Sequence, residues 1–181
     1  MALNATIIKA ELSIADMDSH YYEAHHLTLA QHPSETEERL MLRLLVFALH
    51  ASESLTFTKG LSSDEEPDLW QKSLTGDIEL WIELGQPTDK RIRKACGRAQ
   101  QVAIYSYGRT IDPWWKQLQS QLARFDNLSV FHVSQETTKA LAAFYSRNIN
   151  IQVNIQDRDI TVHCNGESVG FTPEVLLSAQ S

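Results

Sequence analysis

Two carboxylates raise the question of chemistry: Asp68, directly after Pro67, and Glu83, separated from it by fourteen residues and lying in an apolar-patterned run. Two carboxylates close in space suit a hard divalent cation, because Mg2+ takes oxygen ligands and keeps several of its waters. A cation held this way polarises a phosphate and lowers the pKa of an attacking water. A lysine two positions past Glu83 would add charge stabilisation for a nucleophile or a transition state. Gly85 stands at that position.

The segment Glu66-Pro67-Asp68 followed by Ile82-Glu83-Leu84-Gly85-Gln86 therefore matches part of the PD-(D/E)XK nuclease pattern. A loop aspartate and a solvated strand glutamate would leave the same letters. Glu38 is a further candidate metal ligand, on the helical stripe continued by Leu42, Leu45 and Leu49. It is equally a first-turn glutamate that favours the helix dipole. Past Glu83, residues 90–98 read as a two-faced helix. Ile92, Ala95, Cys96 and Ala99 share one arc, and Lys90, Arg91, Arg93, Lys94 and Arg98 fill the other. That basic arc suits a phosphate near the acidic pair, and Lys90 or Lys94 is positioned to replace the missing lysine. An ordinary amphipathic surface helix has the same pattern.

Other chemistries find little support. His20, His25, His26 and His32 are close in sequence but lack metal-ligand spacing, and strand alternation turns His25 and His26 to opposite faces. There is no Walker loop, no GxGxxG and no GxSxG. Cys96 and Cys164 are the only cysteines, which excludes a disulfide framework and a four-cysteine zinc site. With a net charge of −7, any nucleic-acid contact must come from a local patch. The alternating start and an apolar run of only Leu44 to Leu49 predict no signal peptide, no membrane span and cytoplasmic residence.

The elements that must position these residues can be read from periodicity. Ile8, Ala10, Leu12 and Ile14 alternate with polar residues, and Tyr21 to Leu29 returns as the second strand of a hairpin. Ser34, three residues before Glu37, predicts a capping box ahead of a buried helix over 40–49. Thr56 to Lys59 reads as a short strand and Leu61 to Pro67 as a polar loop. Ile78, Leu80, Ile82 and Leu84 oppose Asp77, Glu79, Trp81 and Glu83, predicting a strand with one apolar and one acidic face. Thr88 or Asp89 caps the basic helix, and Val102 to Tyr107 is the next strand. Asp112-Pro113 starts a helix to about Arg124, Leu128 to Val133 is a strand, and Ser134 caps a helix through Phe144. Two alternating strands follow, with Asn165-Gly166 as a hairpin turn. An α/β fold with a mixed sheet, as one domain over 1–181, is the expectation.

Several runs together resemble the YaeQ family: His32-Pro33-Ser34-Glu35-Thr36-Glu37-Glu38, Pro67-Asp68-Leu69-Trp70, Leu74-Thr75-Gly76, Leu80 to Pro87, and Lys90-Arg91-Ile92-Arg93-Lys94-Ala95. The resemblance covers essentially the whole chain. It implies a restriction-endonuclease-like αβββαβ core with additional N- and C-terminal β-strands. It also implies that Asp68 and Glu83 are the core carboxylates, with Gln86 beside the altered lysine position. On that basis the expected function is Mg2+-dependent cleavage of DNA or RNA, with Mn2+ as a substitute. Asp68 and Glu83 would bind the metal, and Gln86, Lys90 or Lys94 would position water. Nucleic acid would meet Lys90, Arg91, Arg93, Lys94 and Arg98. A binding protein that keeps the scaffold without turnover is the alternative. A monomer is compatible with either.

Overall fold

The computed structural model describes residues 4–59 and 65–180. Most of the expected polar loop at 61–67 lies outside the described residues. The chain forms two compact units, one of Met1–Ala51 with Glu136–Pro173 and one of Ser52–Gln135 with Glu174–Ser181.

The first unit carries a five-stranded sheet. Strands β1 (Thr6–Asp16) and β2 (Tyr21–Gln31) pair antiparallel along their full length. Ile8, Ala10, Leu12 and Ile14 are buried, as their alternation predicts. β8 (Asn148–Gln156) joins β1 in parallel, and β9 (Asp159–Cys164) and β10 (Glu167–Phe171) extend the sheet, giving the order β10-β9-β8-β1-β2. The β9–β10 turn places Asn165 and Gly166 at φ 52° and 81°, the left-handed backbone that an Asn-Gly hairpin supplies.

Helix α1 (Glu37–Leu49) is capped by Thr36, whose hydroxyl accepts from Arg39 N–H at 3.1 Å. The expected cap, Ser34, is engaged elsewhere: its hydroxyl lies 2.7 Å from His32 Nδ1. Burial of α1 extends to two arginines. Arg39 and Arg43 both bond the buried carboxylate of Glu35, at 2.7 and 2.8 Å. Helix α4 (Gln135–Ala142) precedes β8.

The second unit is built on a six-stranded mixed sheet of order β11-β7-β6-β5-β4-β3. Its strands are β3 (Leu55–Phe57), β4 (Leu69–Lys72), β5 (Ile78–Leu84), β6 (Ala99–Tyr107), β7 (Leu128–Val133) and β11 (Glu174–Leu177). β3, β4 and β5 run antiparallel in succession. Helix α2 (Asp89–Arg98), capped by Thr88, carries the chain back so that β6 lies parallel to β5. Helix α3 (Ile111–Leu122) does the same between β6 and β7.

Trp81, Ile92, Ala95, Val102, Leu118, Leu122 and Leu128 belong to one core cluster. β5 therefore does not carry the solvated glutamate that its letters alone would also allow. As an interior strand with α2 packed on its Trp81 side, it buries Trp81 to 1% and Glu83 to 5% exposure. No described helix is long and apolar enough to cross a membrane.

Candidate metal centre and basic face

The turn that follows β5 decides where the site's side chains can go. Gly85 leaves the strand at φ +99°, with its N–H donated to the Tyr105 carbonyl at 2.9 Å. An L-residue is strained there, which gives a physical reason for the absence of a lysine. Gly85→Lys is expected to cost about 1–2 kcal/mol, as for other residues forced into left-handed backbone. Urea unfolding checks this, and an unchanged midpoint would show that the position tolerates a side chain. Gln86 is held by the same corner. Its Nε2 donates to the Tyr107 carbonyl at 3.2 Å, and its Oε1 accepts from the Thr110 hydroxyl at 3.0 Å.

Asp68 immediately precedes β4 and is 3% exposed. Its N–H donates to the Ile82 carbonyl at 3.0 Å, and its Oδ2 accepts from Leu84 N–H at 2.8 Å. These two bonds lay the Asp68 carboxylate along β5, beside Glu83. Glu83 Oε1 in turn accepts from Trp81 Nε1–H at 2.9 Å and from Arg91 Nε–H at 2.8 Å. Burial pushes the Glu83 carboxyl above the usual carboxylate range, Arg91 opposes the rise, and the neighbouring Asp68 charge adds to it. Two like charges confined together, with one cation against them, form a strained electrostatic unit.

The cation at the carboxylates is thus Arg91, in place of the expected Lys90 or Lys94. Helical periodicity accounts for this: Arg91, Lys94 and Arg98 fall at i, i+3 and i+7, on one stripe beside the buried Ile92 and Ala95. The stripe is occupied along its length. Arg91 Nη2 donates to the Glu66 carbonyl at 2.8 Å, Lys94 Nζ to Glu65 Oε2 at 2.9 Å, and Arg98 Nη1 to the Glu65 carbonyl at 3.1 Å. Arg98 also sits over the Trp81 ring at 5.2 Å. On the neighbouring stripe, Arg93 pairs with Asp89 at 3.1 Å and Lys90 is exposed. Of the five cations expected to face a phosphate backbone, four already have partners within the protein.

Sequence reasoning missed Trp81 as the donor to Glu83 and Glu65 as the partner of Lys94. Trp81 and Glu83 are two residues apart on one strand and so share a face, a readable signal. Nothing in the local sequence points from Glu65 to Lys94. Glu38 lies half-buried in the first turn of α1 and belongs to the first unit, whereas Asp68 and Glu83 belong to the second. Among the described residues, no three His, Cys, Asp or Glu side chains form a metal-holding group. The Asp68–Glu83 pair is still of the right kind for Mg2+, which is commonly held by one or two carboxylates and completed by water.

Fold and site together define a mixed α/β protein with a buried carboxylate pair and a basic helix at the end of an interior strand. The chain belongs to the YaeQ family, whose model, "YaeQ protein", matches residues 1–173. It is 47% identical over 158 residues to the uncharacterised YaeQ proteins of Escherichia coli K12 and Salmonella typhi, covering 87% of this chain and of each relative. The crystal structure of YaeQ from Xanthomonas axonopodis pv. citri superposes with a TM-score of 0.93 at 47% identity, covering 96% of this chain and 99% of that one. YaeQ from Pseudomonas syringae gives the same TM-score at 32% identity, over 98% of both chains.

Proposed function

We propose that this protein is a metal-dependent phosphodiesterase acting on nucleic acid, with Asp68 and Glu83 as metal ligands. The observation that carries this reading is that Asp68, bonded to Leu84 N–H, and Glu83 are both buried at the end of β5, near enough for the Asp68 charge to act on Glu83, with Arg91 on Glu83. The element order supports it. In the chain order α1, β3, β4, β5, α2, β6, three antiparallel strands are followed by a helix and a parallel strand. This is the order expected of a restriction-endonuclease-like αβββαβ core, with β1–β2 and β8–β11 as the additions.

A bound Mg2+ or Mn2+ would supply polarisation of the phosphate and a more acidic water. The chain's own residues do the rest. Leu84 N–H fixes the Asp68 carboxylate, and the Trp81 indole fixes Glu83. Arg91, released from Glu83, has a planar fork suited to two phosphate oxygens and takes the role of the absent lysine. Incubating the protein with labelled DNA and RNA in Mg2+ or Mn2+ tests the reading. Cleavage that disappears with chelator is the expected result, and no cleavage of either substrate counts against it.

The second reading is a nucleic-acid- or protein-binding member that keeps the scaffold without turnover. Gly85 at the lysine position and the closed Arg91–Glu83 pair favour it. On this reading divalent metal leaves the melting temperature unchanged.

A further inference from the structure

Three oxygen atoms of two consecutive residues occupy the Arg91–Lys94–Arg98 stripe: the Glu66 carbonyl, the Glu65 carboxylate and the Glu65 carbonyl. Each is an acceptor within 3.1 Å of a guanidinium or ammonium donor. A row of cations bonding successive oxygens is how a protein follows a chain of phosphates. The segment is itself anchored, since Glu66 Oε2 accepts from Lys59 N–H at 3.2 Å. It nonetheless sits at the surface, with the Glu65 side chain 75% and that of Lys94 44% exposed.

We propose that the Arg91–Lys94–Arg98 stripe is a subsite for the phosphodiester backbone, and that Glu65–Glu66 is an internal latch which nucleic acid must displace to bind there. The inference rests on the reading of this protein as acting on nucleic acid, and adds where the backbone lies and what competes with it. One bond of the latch reaches the carboxylates, because the arginine that holds the Glu66 carbonyl also holds Glu83. Displacing the segment therefore frees one of Arg91's hydrogen bonds at the same time as it opens the stripe. The Lys94 hydrogen bond and charge hold the Glu65 carboxyl below its ordinary range, consistent with the ion pair between them.

The test compares the whole protein with Glu65→Gln, a surface change that leaves the fold in place. Two probes are used: a fluorescent duplex DNA read by anisotropy across a salt series, and retention on immobilised heparin. The latch predicts duplex binding tighter by roughly three- to tenfold at low salt. Elution from heparin should shift to higher salt. Adding Lys94→Ala to Glu65→Gln should cancel both effects. Glu53→Gln, at an exposed position in the same unit, makes the same change in net charge and should give neither.

A wild-type protein that binds duplex no more weakly than Glu65→Gln overturns the latch and leaves the nucleic-acid reading standing. Equal tightening by Glu53→Gln overturns it as well, because net charge would then be the cause. Stronger heparin retention by Glu65→Gln with no binding of the duplex by any variant overturns the phosphodiester subsite, because the stripe would then take polyanions of another kind.

Discussion

Asp68→Asn and Glu83→Gln are each expected to lower metal-dependent cleavage by a factor on the order of 10^3, the scale of losing one charge-stabilising group at a reacting centre. Both variants should remain folded. In Asp68→Asn the amide oxygen can still accept from Leu84 N–H, replacing the 2.8 Å bond that pins Asp68 to β5. In Glu83→Gln the amide oxygen can still accept from Trp81 and Arg91.

Stability should move the other way for Glu83→Gln. The folded-state pKa of Glu83 is raised, so its contribution to stability is fully present below the ordinary carboxylate pKa and is lost as pH rises through the folded value. Removing the charge abolishes that loss. Glu83→Gln should therefore be at least as stable as the parent at neutral pH, with a flatter dependence on pH above 4.5, the ordinary value for this carboxyl. Initial rates and thermal melts across pH read both effects. A rate that falls less than about tenfold in both variants, with metal present, would place the chemistry elsewhere.

Arg91→Met should lower stability by about 2–3 kcal/mol at neutral pH. Breaking a buried ion pair by removing one partner costs roughly 3–5 kcal/mol because the other charge is left uncompensated. Arg91 is 25% exposed, so water screens part of that cost. Glu83 can respond by taking up a proton, its pKa rising further once the opposing cation is gone. The loss should accordingly shrink as pH falls toward the ordinary carboxylate range. Combining the two substitutions should recover most of the stability, since Arg91→Met with Glu83→Gln leaves no buried charge at that position. Urea midpoints at acidic and neutral pH measure this. A penalty that does not change with pH would mean that Arg91 stabilises the fold through packing and its Glu66 bond alone.

The parts of this fold that are legible in the sequence are those with several periods of pattern. The β1–β2 hairpin shows four alternating apolar residues from Ile8 to Ile14, and β7 has its expected bounds, Leu128–Val133. β4 and β11 are not legible, because four residues hold too little alternation to separate a strand from a loop. At the start of α1, Ser34 and Thr36 are both good caps, and the choice depends on His32, which takes the Ser34 hydroxyl. Spacing alone singles out Asp68 and Glu83. It does not reveal their burial, which follows from the strands that flank β5. The helical wheel separates the basic arc from the apolar arc of α2. It cannot say that Arg91 meets Glu83, since that follows from the turn at Gly85, where φ is +99°. The partners of Lys94 and Arg98 come from Glu65, 29 and 33 residues earlier in the chain, a distance over which local pattern carries no information.

Asp68 and Glu83 are together expected to hold a divalent cation. A crystal structure of the protein soaked in Mn2+, with anomalous data collected to locate the metal, tests it most directly. One anomalous peak is expected, bonded by oxygens of both carboxylates at the 2.0–2.2 Å typical of small hard divalent cations, roughly as for Mg2+. Arg91 should then have left Glu83. Arg91 still paired with Glu83, and no peak between the two carboxylates at saturating metal, would contradict it.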